Sequence, residues 1–466
     1  MLNMPDTRAG TSGEAVVNPS LEAQEFLRRF PQIRFIDALF IDMCGIARGK
    51  RLPADQLAGI YANGLYLPAS IYALDVTGDQ LDVLGRGFSD GDPDGCGFPV
   101  PGTLAPAPWA GAELGQVLMS LHEPAARQFC YDPRNVLAAV VDRFRDIGLT
   151  PVVACELEFY LIDAERGQGG APKPPLLPGL KRQDTNNQVY SLEELDYYQG
   201  FMQDLQQWSA AQKIPATFAS AEFGPAQFEI NLLHRPDALR AADDAALLRR
   251  LVKATAQARG IQATFMSKPY ADKVGSGLHL HISLLNEAGE NAFNGNGEKG
   301  SGILRHAIGG VCRAMQESMA VFAPSQSAFR RFAPNLFVPV SDCWGYNNRS
   351  VAVRVPPGPD SARRLEHRVS GADANPYLVV AAVLAGIHHG LVTRADPGEP
   401  MDGNAGSKLA PDLALNMWAA LDDMEAGGIL PSYFPGDYLA LYVDGKRREL
   451  EKFLRSISPQ EFEWYL

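Results

Sequence analysis

Four glutamates stand in two short segments that are otherwise mostly apolar. Glu156 and Glu158 lie in ACELEFYL, and Glu222 and Glu229 lie in AEFGPAQFEINL. Alternate residues of a strand share one face, so Glu156 and Glu158 point the same way, and a tight turn can bring the other two together. Paired carboxylates among apolar neighbours are costly unless a cation lies between them. The alternative for each segment taken alone is the solvent-facing edge of an antiparallel sheet.

Two of the eight histidines, His279 and His281, share a face of GLHLHISLL in the same way. A zinc site with two histidines would need a cysteine or a third histidine close by, and this stretch has neither. A set of carboxylates with one or two imidazoles instead suits Mg²⁺ or Mn²⁺. Histidines buried in the core are the alternative interpretation.

Arginines are concentrated in one part of this acidic chain, in and just before NNRSVAVRVPPGPDSARRLEHRV. Arg364, Glu366 and Arg368 alternate there and can share a strand face. Such a concentration of arginines indicates a bound polyanion, such as a triphosphate, together with a carboxylate substrate. The sequence has no GxxxxGK[ST] loop, so metals and arginines would have to hold the phosphates. The arginines concerned are Arg330, Arg331, Arg349, Arg354, Arg364 and Arg368.

Strands and helices must interleave to bring these segments together. The pattern is α+β, with many antiparallel strands and no regular βαβ alternation, and it is mostly helical from Pro376 onward. Strands are predicted for TPVVACELEFYLID, QATFMSKP, GLHLHISLL and both halves of ATFASAEFGPAQFEINLL. Helices are predicted for YDPRNVLAAVVDRFRDIGL, SLEELDYYQGFMQDLQQWSAAQ and DALRAADDAALLRRLVKATAQARG.

The N-terminal part has a different organisation. Residues 21–30 predict a short helix, and IRFIDALFIDMCGIARGKRLP predicts a hairpin that turns at Cys44-Gly45. Residues 75–108 have the Gly, Pro and Asp content of a loop, so a domain boundary is expected there or shortly after. A chain of 466 residues is long enough for two or three domains.

The composition sets further bounds. The net charge of −12 argues against a nucleic-acid groove or a basic membrane-binding surface. The six cysteines are scattered without a CxxC pair, which is typical of reduced thiols in the cytoplasm. Residues 1–20 lack the apolar core of a signal peptide and predict a disordered tail. The apolar stretch NPYLVVAAVLAGIHHGL is short for a membrane span and predicts a buried helix, with Asp373 and Asn375 as candidate caps.

Five motifs, in this order and spacing, resemble those of the glutamine synthetase superfamily, bacterial type I: ELEF, AEFGPAQFE, KPYADKVGSGLHLHISL, NNRSVAVRVP and RRLEHRVSGADANPYL. Each motif alone is weak, but together they are specific, and the resemblance runs from Ile33 to the C-terminus. It implies a small N-terminal β-grasp domain over residues 21–124 and a large catalytic domain of antiparallel strands and helices over residues 125–466. It also implies a homo-oligomer, a dodecamer of two stacked rings, with active sites between neighbouring subunits.

The resemblance also implies roles for single residues around ATP, glutamate and two or three Mg²⁺ or Mn²⁺ ions. The implied metal ligands are Glu156, Glu158, Glu222, Glu229, His279 and Glu366. The implied ATP contacts are His281, Ser283, Arg354 and Arg364. The implied glutamate contacts are Gly275, Arg331, Arg349 and Arg368, and Arg349 is also implied to be catalytic by stabilising the phosphoryl group.

The amine pocket departs from the family pattern. In glutamine synthetases proper, a glutamate that helps to bind ammonium and accept its proton lies between Arg331 and the NRS motif, and here that position is Phe337. Phenylalanine can neither bind a cation as a carboxylate does nor accept a proton. The stretch GIARGKR near Asp42 is similar to that of γ-glutamylpolyamine synthetases. Asp42, which a neighbouring subunit would contribute, is the remaining candidate for holding and deprotonating the amine.

The expected activity is therefore ATP-dependent ligation of the γ-carboxyl of glutamate to an organic amine through a γ-glutamyl phosphate. Phe337, Trp344 and Tyr346 could line an apolar pocket for a monoamine, or stack on a polyamine ammonium by cation–π contact. The alternatives are an ordinary glutamine synthetase that tolerates Phe337, and a non-catalytic relative that kept only the ring assembly. A guanidino kinase, whose catalytic domain is similar, would need a reactive cysteine in the pocket and has no ELEF pair. The tyrosine that carries adenylylation in many type I enzymes is absent from ADPGEPMDGNAGSKLAPDL.

Overall fold

The computed structural model describes residues 19–466, apart from residues 84, 86, 124–127, 188, 296, 334–336 and 409–410. Most of the tail expected over residues 1–20 lies outside the described residues. The first helix begins at Pro19, so the last two residues of the expected tail are helical. Within the described residues, the strands form two separate sheets.

The first sheet belongs to a small N-terminal β domain. Its strands follow the order β2-β1-β6-β4-β3, and β5 pairs with β6. The hairpin predicted with its turn at Cys44-Gly45 is confirmed, because β1 and β2 pair antiparallel on either side of it. In contrast β1 and β6 are parallel. The strands are β1 (Phe35–Ile41), β2 (Ala47–Pro53), β3 (Leu65–Pro68), β4 (Asp94–Pro99), β5 (Ala105–Pro106) and β6 (Leu114–His122).

The loop predicted over residues 75–108 is only partly correct, because β4 and β5 both lie inside it. β4 pairs with β6 and β3, and β5 pairs with β6. Pairing with an established strand satisfies backbone hydrogen bonds whatever the local propensity, so Gly- and Pro-rich segments can still form strands. The first sheet therefore extends to His122, beyond the residues 75–108 whose composition predicted a loop.

The second sheet is larger and almost entirely antiparallel. Its order is β12-β13-β14-β11-β7-β9-β8, with β10 paired to β7. Among the described strands of this second sheet, only the short pair β12 and β13 is parallel. The strands are β7 (Thr150–Asp163), β8 (Ala216–Ala221), β9 (Gln227–Leu232), β10 (Ile261–Thr264), β11 (Leu278–Leu285), β12 (Trp344–Tyr346), β13 (Val353–Val355) and β14 (Leu365–His367).

Helices pack around this sheet and make up most of the chain after Pro376. The two long helices α7 and α8 pack against each other, and their glycines allow close approach of the two backbones. The helices are α1 (Pro19–Arg29), α2 (Leu57–Asn63), α3 (Pro133–Arg145), α4 (Leu192–Tyr197), α5 (Gln199–Ala211), α6 (Ala238–Ala258), α7 (Gly302–Phe322), α8 (Pro376–Thr393), α9 (Ala405–Lys408), α10 (Met417–Ala426), α11 (Leu430–Tyr433), α12 (Gly436–Leu454) and α13 (Pro459–Tyr465).

Local sequence signals explain where several helices begin. Asp132 caps α3 by accepting a hydrogen bond from the amide of Arg134, and Asn375 caps α8 in the same way from Tyr377. The single helix predicted over SLEELDYYQGFMQDLQQWSAAQ is instead divided at Tyr198, whose φ and ψ of −98° and 16° are not helical. The buried hydroxyl of Tyr198 bonds to Asp184, a tertiary contact that the sequence does not reveal.

The helix α8 is the part of the described chain that is long and apolar enough to cross a membrane, with a mean hydropathy of 1.5 over 18 residues. It is nevertheless 78% buried inside the protein, as expected of a core helix. The six cysteines are all described, and none of them forms a disulfide.

Candidate active site

Four neighbouring strands of the second sheet place acidic and imidazole side chains on one face. The register sets Glu156 of β7 opposite His279 of β11, and Glu158 of β7 opposite Glu229 of β9. Glu366 of β14 lies opposite His281 on the other side of β11. Ligand atoms of Glu156, His279 and Glu366 lie within 4.8 Å of one another, as do those of Glu158, Glu229 and His279. The structure therefore brings five of the six predicted metal ligands together, and the charge of the sixth, Glu222, acts on Glu229.

One part of this face is surrounded by arginines, and we call Glu156, His281 and Glu366 the arginine-flanked half. Glu366 is 1% exposed and bonds to Arg354 Nη1 at 2.7 Å and to Arg368 Nη1. Burial opposes ionisation of Glu366, but Arg368, the histidines and Arg354 outweigh it and lower its pKa to about 2.

Glu156 in the arginine-flanked half is compensated by imidazoles. Its Oε1 lies 2.8 Å from His281 Nε2, and its Oε2 lies 3.5 Å from His279 Nδ1. Burial favours the neutral acid, yet the nearby imidazoles of His279 and His281 hold the pKa of Glu156 well below its usual range. On the far side of the ring, His281 Nδ1 accepts a hydrogen bond from Arg364 Nε at 3.0 Å.

The other part, Glu158, Glu222 and Glu229, we call the acidic half. Among the described residues, no ion pair with arginine or lysine involves these three side chains. Burial, followed by the charge of Glu158, raises the pKa of Glu222 to about 8. Burial, followed by Glu156 and Glu158, raises the pKa of Glu229 to about 9. Carboxylates crowded in this way fit divalent cations with oxygen ligands such as Mg²⁺ or Mn²⁺.

A glycine-rich loop runs along the edge of the acidic half. The amide of Gly277 donates to Glu158 Oε2 at 2.7 Å. A Cβ on Gly275 would lie 2.6 Å from both Arg331 Cγ and the carbonyl oxygen of Ser267, so only glycine fits there. Arg331 is 2% exposed and donates to the carbonyl of Val369. The predicted glutamate contacts Gly275 and Arg331 therefore touch each other.

The remaining predicted contacts lie around the same face. Arg368 Nε donates to the carbonyl oxygen of Arg349 at 3.2 Å, and the charge of Arg349 acts on Glu222. Ser283 lies on β11 two residues beyond His281, so both side chains leave the strand on one face. The predicted ATP contacts thus border the arginine-flanked half.

Asp42 lies apart from this cluster in the single chain. Its carboxylate is 1% exposed, accepts from Arg48 Nε at 2.6 Å, and accepts from the amides of Cys44 and Ile46. Burial raises the pKa of Asp42, although Arg48 opposes this effect. None of these contacts reaches the acidic half, and the role of Asp42 in an amine pocket stays a prediction.

Phe337 is 58% exposed and stacks on Phe223, with ring centroids 6.5 Å apart and an angle of 25° between the rings. It borders an open pocket whose other walls include Val338, Ser350 and Asn404. Because Phe223 directly follows Glu222, the aromatic pair lies beside the acidic half.

Two expectations for the aromatic lining need correction. Trp344 is 1% exposed and its indole N–H donates to the carbonyl of Pro397, so it is a core residue and cannot line the pocket. Tyr346 packs against Trp344, its hydroxyl donates to the carbonyl of Lys299, and it is not among the described residues that line the pocket beside Phe337. The sequence showed that both rings lie near the NNRS motif, but it did not show which face of the strand each ring occupies.

Three residues of the site were missed by sequence reasoning. Asn231 Nδ2 lies 3.5 Å from Glu156 Oε1, and the ring of His234 packs edge-on against His281. Phe223 forms the other half of the aromatic pair. Only Asn231 carried a usable signal, since it stands two residues after Glu229 on the same strand face.

The model of the glutamine synthetase catalytic domain matches residues 130–465. This chain therefore belongs to the glutamine synthetase family, a family of ligases.

Several relatives span nearly the whole chain. Gamma-glutamylputrescine synthetase of Escherichia coli K12 is 39% identical over 445 residues, 96% of this chain and 94% of that protein. Glutamate–isopropylamine ligase of a Pseudomonas species is 29% identical over 436 residues, 91% of this chain and 93% of that protein. Glutamine synthetase of Pyrococcus abyssi is 28% identical over 430 residues, 90% and 91% of the two chains.

Solved structures share the fold over the same length. Apo GmaS superposes with a TM-score of 0.81 and 29% identity, covering 94% of this chain and 97% of that chain. A GmaS–ADP complex superposes with a TM-score of 0.82 and 28% identity, covering 95% and 98% of the two chains. The combination of a small β domain and a large antiparallel sheet is thus the fold of this family.

Proposed function

We propose that this chain is an ATP-dependent ligase that joins the γ-carboxyl of L-glutamate to an organic amine through a γ-glutamyl phosphate. The observation that carries the proposal is Phe337, exposed and stacked on Phe223 beside Glu222, where glutamine synthetases have a glutamate. An aromatic pair favours the carbon skeleton of an organic amine over ammonium. Two of the relatives, including the one with 39% identity, are named for ligation to organic amines.

The two halves of the site divide the work of phosphoryl transfer. Two or three divalent ions, Mg²⁺ or Mn²⁺, would be held by the carboxylates and His279, and when bound they supply positive charge that offsets the transferring phosphoryl group. The proposed metal ligands are Glu156, Glu158, Glu222, Glu229, His279 and Glu366. The proposed ATP contacts are His281, Ser283, Arg354 and Arg364.

Glutamate is proposed to bind at the glycine-rich loop. Arg331, Arg349 and Arg368 provide positive charge, and Gly275 lets the backbone approach the substrate closely. Arg349 is exposed beside Glu222, which suits a guanidinium that meets the γ-phosphoryl group as it forms. These roles follow the family motifs, and the proximity of the residues supports them.

Asp42 is proposed to hold and deprotonate the amine in the site of a neighbouring subunit. Its position on the β1–β2 turn, apart from the cluster of its own chain, supports a contribution across subunits. We also propose a cytoplasmic dodecamer, with a β-grasp domain over residues 21–124 and a catalytic domain over residues 125–466. Gel filtration with light scattering measures the subunit number, and a stable monomer with full activity would contradict the shared site.

The amine itself is the property to test first. Phosphate release from ATP with glutamate and Mg²⁺ is measured with ammonium, putrescine, spermidine, ethanolamine, isopropylamine and short alkylamines, one at a time. Putrescine is the first candidate because of the 39% identical relative. Turnover with an organic amine well above that with ammonium is expected. Best turnover with ammonium would make this an ordinary glutamine synthetase, and no turnover with any amine would favour a non-catalytic relative.

Phe337→Glu tests the observation that carries the proposal. The new carboxylate would bind ammonium beside Glu222, so the preference for the organic amine should fall about tenfold to a hundredfold. Phe337→Leu, which keeps an apolar side chain, is the matched control and should retain the preference. Equal preferences in all three proteins would show that Phe337 does not select the amine.

A further inference from the structure

The β1–β2 turn, which carries Asp42, is held by a residue at the start of α8 in the same chain. The side-chain amide of Asn375 donates from Nδ2 to the carbonyl oxygen of Asp42 at 2.9 Å, and it lies 3.5 Å from the carbonyl oxygen of Met43. Asn375 is 3% exposed, and 333 positions separate it from Asp42 in the sequence. A long-range, buried hydrogen bond therefore fixes the backbone of the turn.

Asn375 has two separate tasks. Its Oδ1 accepts from the amide of Tyr377 at 3.0 Å and so caps α8, whereas its Nδ2 serves the turn. A helix cap needs only an acceptor, which serine and aspartate supply as well as asparagine does. Serine is too short to reach the Asp42 carbonyl, and an aspartate carboxylate has no donor for it. The asparagine at this position therefore matters for the turn and not only for the helix.

Gly45, within the turn, packs closely against the same anchor. Its φ of 73° lies in the left-handed region, and a Cβ there would lie 3.0 Å from Arg249 Nη1 and 3.4 Å from the Cα of Asn375. Arg249 is 9% exposed and donates to the carbonyl of Ala374 at 2.9 Å. The turn thus lies against α6 and the start of α8, and moving it would open these contacts.

The segment just before Asn375 is itself fixed. The amide of Ala372 donates to the carbonyl of Ser276 at 3.0 Å, and the carboxylate of Asp373 accepts from the hydroxyl of Ser267. Ser276 belongs to the glycine-rich loop at the edge of the acidic half. The β1–β2 turn is therefore tied, through Asn375, to the loop that is proposed to bind glutamate in the same chain.

The backbone of the turn decides where the carboxylate of Asp42 lies. Its Oδ1 accepts from the amides of Cys44 and Ile46, at 2.9 and 2.8 Å. Because the side chain is bonded to the turn that carries it, a displaced turn takes the carboxylate with it. A misplacement of about 1 Å is enough to slow a reaction that depends on the position of such a group.

We propose that Asn375 is a positioning residue for Asp42: by donating to the Asp42 carbonyl it fixes the β1–β2 turn, and with it the carboxylate that meets the amine in the site of a neighbouring subunit. Asn375 acts through Asp42 and not on the amine itself. The effect on activity rests on the proposed ligase function and on the proposed role of Asp42, whereas the tie between Asn375 and the turn does not.

Hydrogen exchange of the full-length protein, measured by mass spectrometry, tests the tie. In Asn375→Ser the hydroxyl still caps α8 but does not reach the turn, so residues 42–46 should exchange about tenfold faster while α8 is unchanged. Asn375→Asp, which also caps α8 without a donor for Asp42, should behave in the same way. Asn416→Ser, at the exposed cap of α10, is the matched control and should leave the turn unchanged. Equal exchange of the turn in all four proteins, or an equal increase in α8, would overturn the proposal.

A double-mutant cycle tests whether Asn375 acts through Asp42. In Asn375→Ser, kcat/KM for the amine, measured by phosphate release, should fall about tenfold to a hundredfold, while KM for glutamate stays the same. In an Asp42→Asn protein the same substitution should have little further effect, since the group that it positions is already lost. Asn416→Ser should keep the unmodified rate. Equal losses in both backgrounds would show that Asn375 acts on the fold in general, and would overturn the proposal.

Hydroxylamine provides a second measurement if Asp42→Asn is too slow for the cycle. It is an uncharged nucleophile at neutral pH and needs no base to remove a proton before it attacks, so its reaction should depend less on Asp42. Asn375→Ser should therefore retain the rate with hydroxylamine and lose the rate with the amine. Equal loss with both would overturn the proposal. If no protein releases phosphate with any amine, the ligase function is wrong, and the exchange experiment alone decides whether Asn375 holds the turn.

Discussion

The arginine-flanked half and the acidic half of the site use the same residue type on the same sheet face, but their charges are compensated differently. Glu366 bonds to two buried arginines, and Glu156 contacts two imidazoles, so both pKa values are lowered. Among the described residues, Glu222 and Glu229 form no ion pair with arginine or lysine, and burial raises their pKa values to about 8 and about 9. The protein itself neutralises one half, whereas the other requires protons or metal ions.

This difference separates structural from functional effects of mutation. A carboxylate that compensates buried arginines stabilises the fold, because removing it leaves charges without partners. A carboxylate crowded by others destabilises the fold and is kept for another purpose, such as holding a cation. Substitutions in the two halves should therefore change stability in opposite directions while both lower activity.

Glu366→Ala should have the largest effect. It leaves Arg354 and Arg368 buried without their partner, so we expect a loss of about 3–5 kcal/mol of unfolding free energy. Phosphate release should fall on the order of 10³-fold, because the site loses a proposed metal ligand and the positions of both arginines. Urea unfolding and the phosphate assay measure the two effects. Unchanged stability would show that solvent compensates the arginines. It would contradict the expectation that substitutions in the two halves change stability in opposite directions.

Glu229→Gln should lower activity on the order of 10²-fold without destabilising the metal-free protein. The folded state keeps a proton on Glu229 that the unfolded chain releases above its ordinary pKa. The free energy of unfolding therefore falls as the pH rises from the ordinary glutamate pKa to about 9. The variant has no proton to lose there, so its unfolding free energy should depend less on pH over this range. Thermal unfolding in EDTA from pH 5 to 9 measures it. A variant less stable than the unmodified protein at pH 8 would contradict the charge crowding.

Divalent metal should stabilise the protein through the acidic half. Mg²⁺ or Mn²⁺ at a hundred times its dissociation constant should add about 2.7 kcal/mol to the metal-free protein. The gain should be larger at pH 8 than at pH 6, because protons compete with metal ions for Glu222 and Glu229. Calorimetric unfolding with and without metal measures it, with the exposed Glu165→Gln as the control. A gain that is the same at both pH values would contradict this competition.

Asn231→Ala should have the smallest effect. Its amide lies 3.5 Å from Glu156 Oε1, a long contact to a carboxylate that two histidines already compensate. Removing it should cost no more than about 1 kcal/mol of stability and change the phosphate release rate only a few fold. A loss as large as that of Glu366→Ala would mean that the amide, not the histidines, orients Glu156.

The strand pattern predicted much of the site. Alternation alone placed Glu156 with Glu158, and His279 with His281, because side chains of a strand alternate between faces. The motif order then indicated the family and the metal ligands. The pattern could not decide the surroundings of Trp344, which lies in the core, nor the β4 and β5 strands inside a segment of loop composition. Burial and strand pairing depend on partners distant in the chain.

The sequence by itself determined which donors this protein has and which of them share a strand face. Only the tertiary structure decided which donors meet: the cross-strand register sets Glu158 against Glu229 and Glu156 against His279. It also decided which carboxylates contact arginines and which are crowded by other carboxylates. The physical reason is that charge compensation depends on distance and burial, and both are set by chain segments far apart in sequence.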